Sequence, residues 1–457
     1  MKPEQPTGKT SQLLRVILVA FLAVALSLVF WTVFRGPAIL ARDDNPRRVE
    51  QELRIQRGRI FDLQRNVLAE NAETAGIFTR IYPLPAASPV VGYYSLRYGT
   101  AGIEESYDAY LRGEPDNRWQ AEMRQLLHRT QTGRDLQLTL DANLQAQADA
   151  LLGARNGALL LLQLEDGQPD GSPAKILALA SHPGYDPNFL DETFEELAAD
   201  ASAPLLNRVT QGQYQPGPVL QPFILAALLD QGIIALDEPV AHANRPVIVN
   251  GVATYCATPP PLEATWADVL AHRCPGPLQD LADRLPAANL AAAFDAFGLT
   301  EQPQLPLNTE TAVSAPISKT TLALIGQDTL IVTPLQVGVA WAALATDGRL
   351  PTLQLVEGLQ SETGDWVTST PPPREPATAV TPVAAQTLRG ALPRSGDIQT
   401  FSTLVLSGPD GSNNSWYLGL LPAGDQTYAV VVVLENNRNL AEVEQIGEGI
   451  LTAVNGR

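Results

Sequence analysis

Nineteen consecutive residues, Val16 to Phe34 (VILVAFLAVALSLVFWTVF), carry no charge and only two polar side chains, Ser27 and Thr32. As a helix rising roughly 1.5 Å per residue, the run reaches about 28 Å, close to the thickness of a bilayer's hydrocarbon core. Arg15 and Arg35 bracket it, and Trp31 sits near one end, where interfacial anchors gather. A cleaved signal peptide is the alternative, but its apolar region is typically about 7–15 residues long. The one triplet resembling a cleavage site, Ala23-Val24-Ala25, lies inside the run. The expectation is a retained transmembrane helix over 16–34. Lys2, Lys9 and Arg15 precede it and Arg35, Arg42, Arg47 and Arg48 follow, so positive charge does not set its orientation.

The remainder excludes several classes of function. Acidic residues outnumber basic ones 49 to 31, a formal charge of −18, and such a surface repels phosphate backbones; no nucleic-acid partner is expected. Four histidines and two cysteines, with no C-x-x-C and no paired His, give no metal site. No cofactor is expected either. Lysine occurs only as Lys2, Lys9, Lys175 and Lys319.

Downstream, Asp141 is placed to cap a helix with Leu144, Ala148, Leu151 and Leu152 on one face. Gly157–Leu164 (GALLLLQL) and Ile176–Ala180 read as two strands of a hairpin. Phe223–Gln231 and Pro334–Ala345 are apolar helices, the second with proline in an acceptable first turn. Residues 368–382 form a Pro/Thr-rich connection. Trp416–Leu421 and Tyr428–Leu434 read as strands, and a helix pattern closes the chain. Mixed strands with helices at both ends point to an α+β fold. Trp341 and Trp416 are expected in its core.

Six segments, taken in order, resemble the class B penicillin-binding proteins. RGRIFDLQRNVLA (Arg57–Ala69) is similar to their R-G-x-I-x-D-R-N-G-x-x-L-A opening, with Leu63-Gln64-Arg65 in place of R-N-G. YGTAGIEESYDAYLRG resembles their pedestal motif, and TLDANLQAQADALL the helix that opens the transpeptidase domain. ILALASHPGYDPN, LLNRVTQGQYQPGPVLQPF and LIGQDTLIVTPLQVGVAWAALATDG resemble three further segments of that domain, through Gly348. The resemblance implies a cytoplasmic tail over 1–15, one transmembrane helix and a pedestal or dimerisation-like domain over 36–136. A transpeptidase-like domain, an antiparallel sheet flanked by helices, would fill 137–457. It further implies a single-pass protein of the cell membrane with its main domains outside the cytoplasm, acting in peptidoglycan synthesis.

The residues that would perform the family's chemistry are replaced. In that family a Ser at a helix N-terminus attacks the acyl-D-Ala-D-Ala carbonyl, and a Lys one turn later removes its proton. Here the P-G-S-x-x-K-P-F window reads PGPVLQPF, with Pro218 at the Ser position and Gln221 at the Lys position. The S-x-N triplet falls on Arg273, Cys274 and Pro275. The K-[ST]-G triplet matches best at Leu406, Ser407 and Gly408, without its cation. Literal matches elsewhere are out of family order or in loops. They are Ser172–Lys175, Lys319-Thr320-Thr321 and Ser412-Asn413-Asn414.

Arg273 reads either as a surface cation or as a group that fills the old cleft and binds a carboxylate. Cys256 and Cys274, 18 positions apart, would pair in an oxidising compartment and stay separate thiols in a reducing one. Three functions stay open. The chain is a catalytically silent scaffold or regulator, a noncovalent sensor of peptidoglycan stem peptides or β-lactams, or a transpeptidase with a non-standard nucleophile. The resemblance implies, besides the membrane, a SEDS-type glycan polymerase or an active penicillin-binding paralogue as partner.

Overall fold

Strands with no polar face must be covered on both sides, and the central strands here are of that kind. Along Gly157–Glu165, Leu160, Leu162 and Leu164 enter one buried cluster with Phe223 and Trp341. Leu159 and Leu161 enter a second cluster with Ile446 and Ile450. Gln426–Leu434 alternates in the same way, Val431 and Val433 on one side, Val430 and Val432 on the other.

The computed structural model describes residues 8–35, 52–114, 132–165, 173–310, 315–371, 377–408 and 411–455. The chain divides into two units, one of residues 1–56 and 72–79, the other of 57–71 and 80–457. In the first, Gly8–Val29 is α-helical and Phe30–Arg35 continues as a wider π-type turn. It is one helix, among the described residues, long and apolar enough to cross a membrane: over Gln12–Val29 its mean hydropathy is 2.4. Arg42, Arg47 and Arg48, which follow the apolar run, lie outside the described residues, as do Lys2 and Ser172.

The second unit is built on a seven-stranded sheet. Its order is Leu353–Gln354, Ala174–His182, Gly157–Glu165, Gln426–Leu434, Asn413–Ala423, Ile398–Leu406 and Arg394–Ser395. All neighbours are antiparallel except the first pair. Ala142–Leu152 and Leu440–Asn455 cover one face; Gln221–Asp230 and Pro334–Ala345 lie on the other. Asp141 caps the Ala142–Leu152 helix by accepting from the Asn143 and Leu144 amides. Trp341 and Trp416 are fully buried, and the Trp341 indole donates to the Gly419 carbonyl at 3.1 Å.

A smaller sheet carries the Arg57 segment. Ile60–Phe61 runs parallel to Leu136–Leu138, which pairs in turn with Val356–Gln360. Chain from both sides of residue 136 therefore shares one sheet. Beside it lies a buried charge cluster. Arg57 meets Glu104 at 2.7 Å and Asp108 at 2.6 Å, and Arg80 meets Glu104 at 2.6 Å. Burial alone would raise the Glu104 pKa, but Arg80 and Arg57 outweigh it and hold the carboxyl below its usual range.

Candidate functional site

The Gln221–Asp230 helix begins with a tight 3-10 turn, Gly217–Leu220. Gly217 adopts φ +53°, and its amide donates to the Gly326 carbonyl at 2.9 Å. The Gln215 side chain donates to the same carbonyl at 2.6 Å. These bonds tie the start of the helix to the Gly326–Asp328 loop. Pro218 follows, buried, with its ring bordering a cavity. One turn on, Gln221 is buried and donates through Nε2 to the Val269 carbonyl at 3.0 Å, while its Oε1 has no partner. The amide thus joins two helices.

The second of those, Trp266–Ala271, is opened by a reciprocal cap between Thr265 and Asp268. It ends at His272, and Arg273 reverses the chain at φ +54°. Cys274, next in sequence, is bonded to Cys256. Pro275 is buried at the start of Gly276–Asp280. Arg273 is largely buried rather than a surface cation. Its Nη2 donates to Ser402 Oγ at 3.0 Å, and Ser402 Oγ donates to Glu444 Oε1 at 2.5 Å. The Arg273 Nε has no partner. Burial lowers the pKa of this guanidinium, with Glu444 opposing.

Ile398–Leu406 supplies the third wall. Thr403, Leu404 and Leu406 line the cavity; Val405 packs on Gly217, where a Cβ would stand 2.7 Å from its methyl group. Ser407 and Gly408 lie beyond the strand in a turn, the Ser407 amide donating to Ser412 and the Gly411 amide to Gly408. Pro218, Arg273, Cys256 and Leu406 therefore border one cavity of about 360 Å³. Gln221, Cys274, Pro275, Ser407 and Gly408 are absent from its lining.

Sequence reasoning placed the third motif at Leu406–Gly408. The strand residue that meets Arg273 lies further upstream, at Ser402, with Thr403 beside it on the cavity. Without lysine no motif marks the position; the signal available was strand register, counting back from Trp416, which pairs with Thr403. Arg438, also on the cavity, was missed because it belongs to no motif; its Nη2 donates to the Gly411 carbonyl at 2.6 Å.

The cavity's chemistry is narrow. Its charged lining groups, among the described residues, are Arg273 and Arg438, with Thr254, Thr403, Tyr255 and Asn413 as polar company. None of these is a general base at neutral pH. Lys175 is on a strand and pairs with Glu357 at 3.0 Å, and Lys319 sits beside Asp328; neither lines the cavity. Of the other literal matches, Asn413 and Asn414 open a strand. A cavity so lined can hold an anion.

Comparison with known proteins places this geometry. Residues 170–452 match the penicillin binding protein transpeptidase domain, and residues 57–136 the penicillin binding protein A dimerisation domain. The chain is 29% identical over 468 residues to the peptidoglycan D,D-transpeptidase PbpA of Mycolicibacterium smegmatis, covering 92% of each. It is 25% identical over 399 residues to the peptidoglycan D,D-transpeptidase FtsI of Escherichia coli, covering 78% of this chain and 63% of that one. Among solved structures, penicillin-binding protein A of M. tuberculosis as an imipenem acyl-enzyme complex superposes with a TM-score of 0.77. That match is 25% identical and covers 88% of this chain and 99% of the other.

Proposed function

Because this chain belongs to the penicillin-binding protein transpeptidase family, we propose that it is a membrane-anchored member that has lost acyl transfer and serves peptidoglycan synthesis as a scaffold or regulator. The observation that carries this reading is the pair Pro218 and Gln221 at the start of the Gln221–Asp230 helix. A pyrrolidine ring offers no alcohol to attack a carbonyl, and a carboxamide cannot take its proton near neutral pH. Proline also has no N–H, so the main-chain donor that a nucleophile's own residue gives to an oxyanion is missing too. Each loss is expected to lower rate on the order of 10²-fold or more. Their combination leaves no route to an acyl-enzyme.

The retained features support a structural role. Gly217 and Gly326 still lock the helix start, and the Arg57–Glu104 cluster still ties the pedestal segments together. The helix over Gln12–Val29 would hold the protein at the cell membrane, with residues 57–455 on the outer side, where an oxidising milieu suits the Cys256–Cys274 bond. A SEDS-type glycan polymerase or an active penicillin-binding paralogue is the proposed partner. Affinity purification from solubilised membranes tests this. Recovery of a wall-synthesis enzyme is expected; recovery of none would count against the scaffold.

A second reading has a specific observation in its favour. Among the described residues, two guanidiniums and no carboxylate line the cavity of a chain with net charge −18, which supports noncovalent capture of an anionic ligand.

A further inference from the structure

The Pro/Thr-rich connection over 368–382 takes no part in the cleft. Of its fifteen residues, five are proline and five are serine or threonine, which leaves too few apolar side chains to be drawn into a core. Its hydroxyls differ in what they do. Thr381 is committed to the fold: its Oγ1 donates to Asp230 Oδ1 at 2.5 Å and accepts from the Ala384 amide, capping the Pro382–Ala391 helix. Thr139, Thr265 and Thr333 are spent in the same manner, on carbonyls or helix caps. Thr368, Thr370 and Thr378 are exposed, and among the described residues none of their hydroxyls has a hydrogen-bond partner.

Their backbone is accessible as well. Thr368 ends the Trp366–Thr368 strand at the edge of the smaller sheet, paired with Gly358 on one side. Thr370 precedes Pro371, and the residue before a proline is held extended. Thr370 also borders a cavity of about 290 Å³ together with Tyr107, Leu305 and Leu355, which leaves room for a bulky group on its hydroxyl. An enzyme could take in such a stretch without unfolding anything. Phosphorylation and glycosylation both act on a threonine hydroxyl, but phosphorylation draws on ATP, a cytoplasmic donor. The Cys256–Cys274 bond and the Gln12–Val29 helix favour a compartment where donors are instead presented by the membrane. Threonine interspersed with proline is also the composition that carries O-linked sugar.

We infer that Thr368, Thr370 and Thr378 are O-glycosylation sites that take hexose from a polyprenyl-phosphate-linked donor. The threonine Oγ1 bonds to the anomeric carbon as the bond from that carbon to the phosphate oxygen breaks. The lipid phosphate leaves with the electron pair, and the hydroxyl proton passes to a base of the transferase. The inference rests on the outward placement proposed above for residues 57–455; it does not depend on whether the cleft is catalytically silent.

The test is intact mass and peptide mapping of the full chain extracted from its native membranes. The expected result is excess mass in whole multiples of an anhydrohexose, released by alkaline β-elimination and mapped to Thr368, Thr370 and Thr378 but not to Thr381. Combining Thr368→Ala, Thr370→Ala and Thr378→Ala should remove the excess with an unchanged melting temperature, since none of these hydroxyls holds the fold. Thr381→Ala should keep the excess while lowering the melting temperature. An unmodified mass, phosphate in place of sugar, or sugar confined to other residues would overturn the inference. Protease added to spheroplasts separates the two readings. A domain digested from outside yet unmodified refutes only the glycosylation, whereas a domain digested only after lysis refutes the outward placement and the inference with it.

Discussion

Gly217 and Gly326 meet backbone to backbone: the Gly217 amide donates to the Gly326 carbonyl at 2.9 Å, and both residues have positive φ, +53° and +65°. A Cβ on Gly326 would lie 2.1 Å from the Gly217 carbonyl oxygen, where nothing flexible can give way. On Gly217 it would lie 2.7 Å from a Val405 methyl. Gly326→Ala should therefore cost about 2–4 kcal/mol, strain and clash together. Gly217→Ala should cost less, and Val405→Ala in the same chain should recover part of the loss. Urea midpoints decide; a neutral Gly326→Ala would mean that the helix start is not held this way.

Glu104 balances Arg57 and Arg80 with no solvent to share the charge. Glu104→Gln should destabilise by about 3–5 kcal/mol, because two buried cations lose their partner. The pH dependence follows from the lowered pKa. Stabilisation is fully present above the ordinary value of 4.5 and is lost as pH falls through the lower folded value. Thermal melts between pH 7 and 3 should show wild-type stability falling at the acid end, and Glu104→Gln should flatten that fall. An unchanged slope in the variant would contradict the assignment.

His182 shows the opposite sign. Its Nε2 meets Asp149 at 2.6 Å and its Nδ1 meets the Gly153 carbonyl at 2.7 Å. The Asp149 hydrogen bond raises the imidazole pKa above 6.5, against burial. The contribution is full below 6.5 and disappears as pH rises through the raised folded value. Denaturation midpoints from pH 6 to 9 should decline more steeply for the wild type than for His182→Asn. Parallel curves would exclude this link.

The Cys256–Cys274 bond closes a loop with a sequence separation of 18. By the chain-entropy estimate its removal costs about 3 kcal/mol. Cys256→Ser with Cys274→Ser should lower the midpoint accordingly, and added reductant should lower the wild type to match. Indifference to reductant would show that the bond contributes nothing.

The fold was largely legible because both its signals are periodic or local. The runs GALLLLQL and YAVVVVL read as strands and are strands, buried on both faces, and Asp141 announced a helix that it does cap. Pro218 and Gln221 stand in a window whose Gly217, Pro222 and Phe223 match the family pattern, which is why sequence alone singles them out. Register was harder. Ser402 and Thr403 have no composition that marks them, and only pairing with the Trp416 strand brings them to Arg273. Sequence leaves Arg273 open between a surface cation and a cleft-filling group because burial of a guanidinium depends on Ser402 and Glu444, 129 and 171 positions away. Arg438 was invisible for the same reason: cavity membership is a tertiary fact.

Catalytic silence means that this cleft forms no ester with a β-lactam. Full-length protein incubated with excess fluorescent penicillin, denatured in detergent and read by intact mass tests that directly. The expected result is the unmodified mass, with no label surviving boiling. A stoichiometric adduct mapping to any hydroxyl of the cavity, Thr403 or Thr254 included, would contradict it.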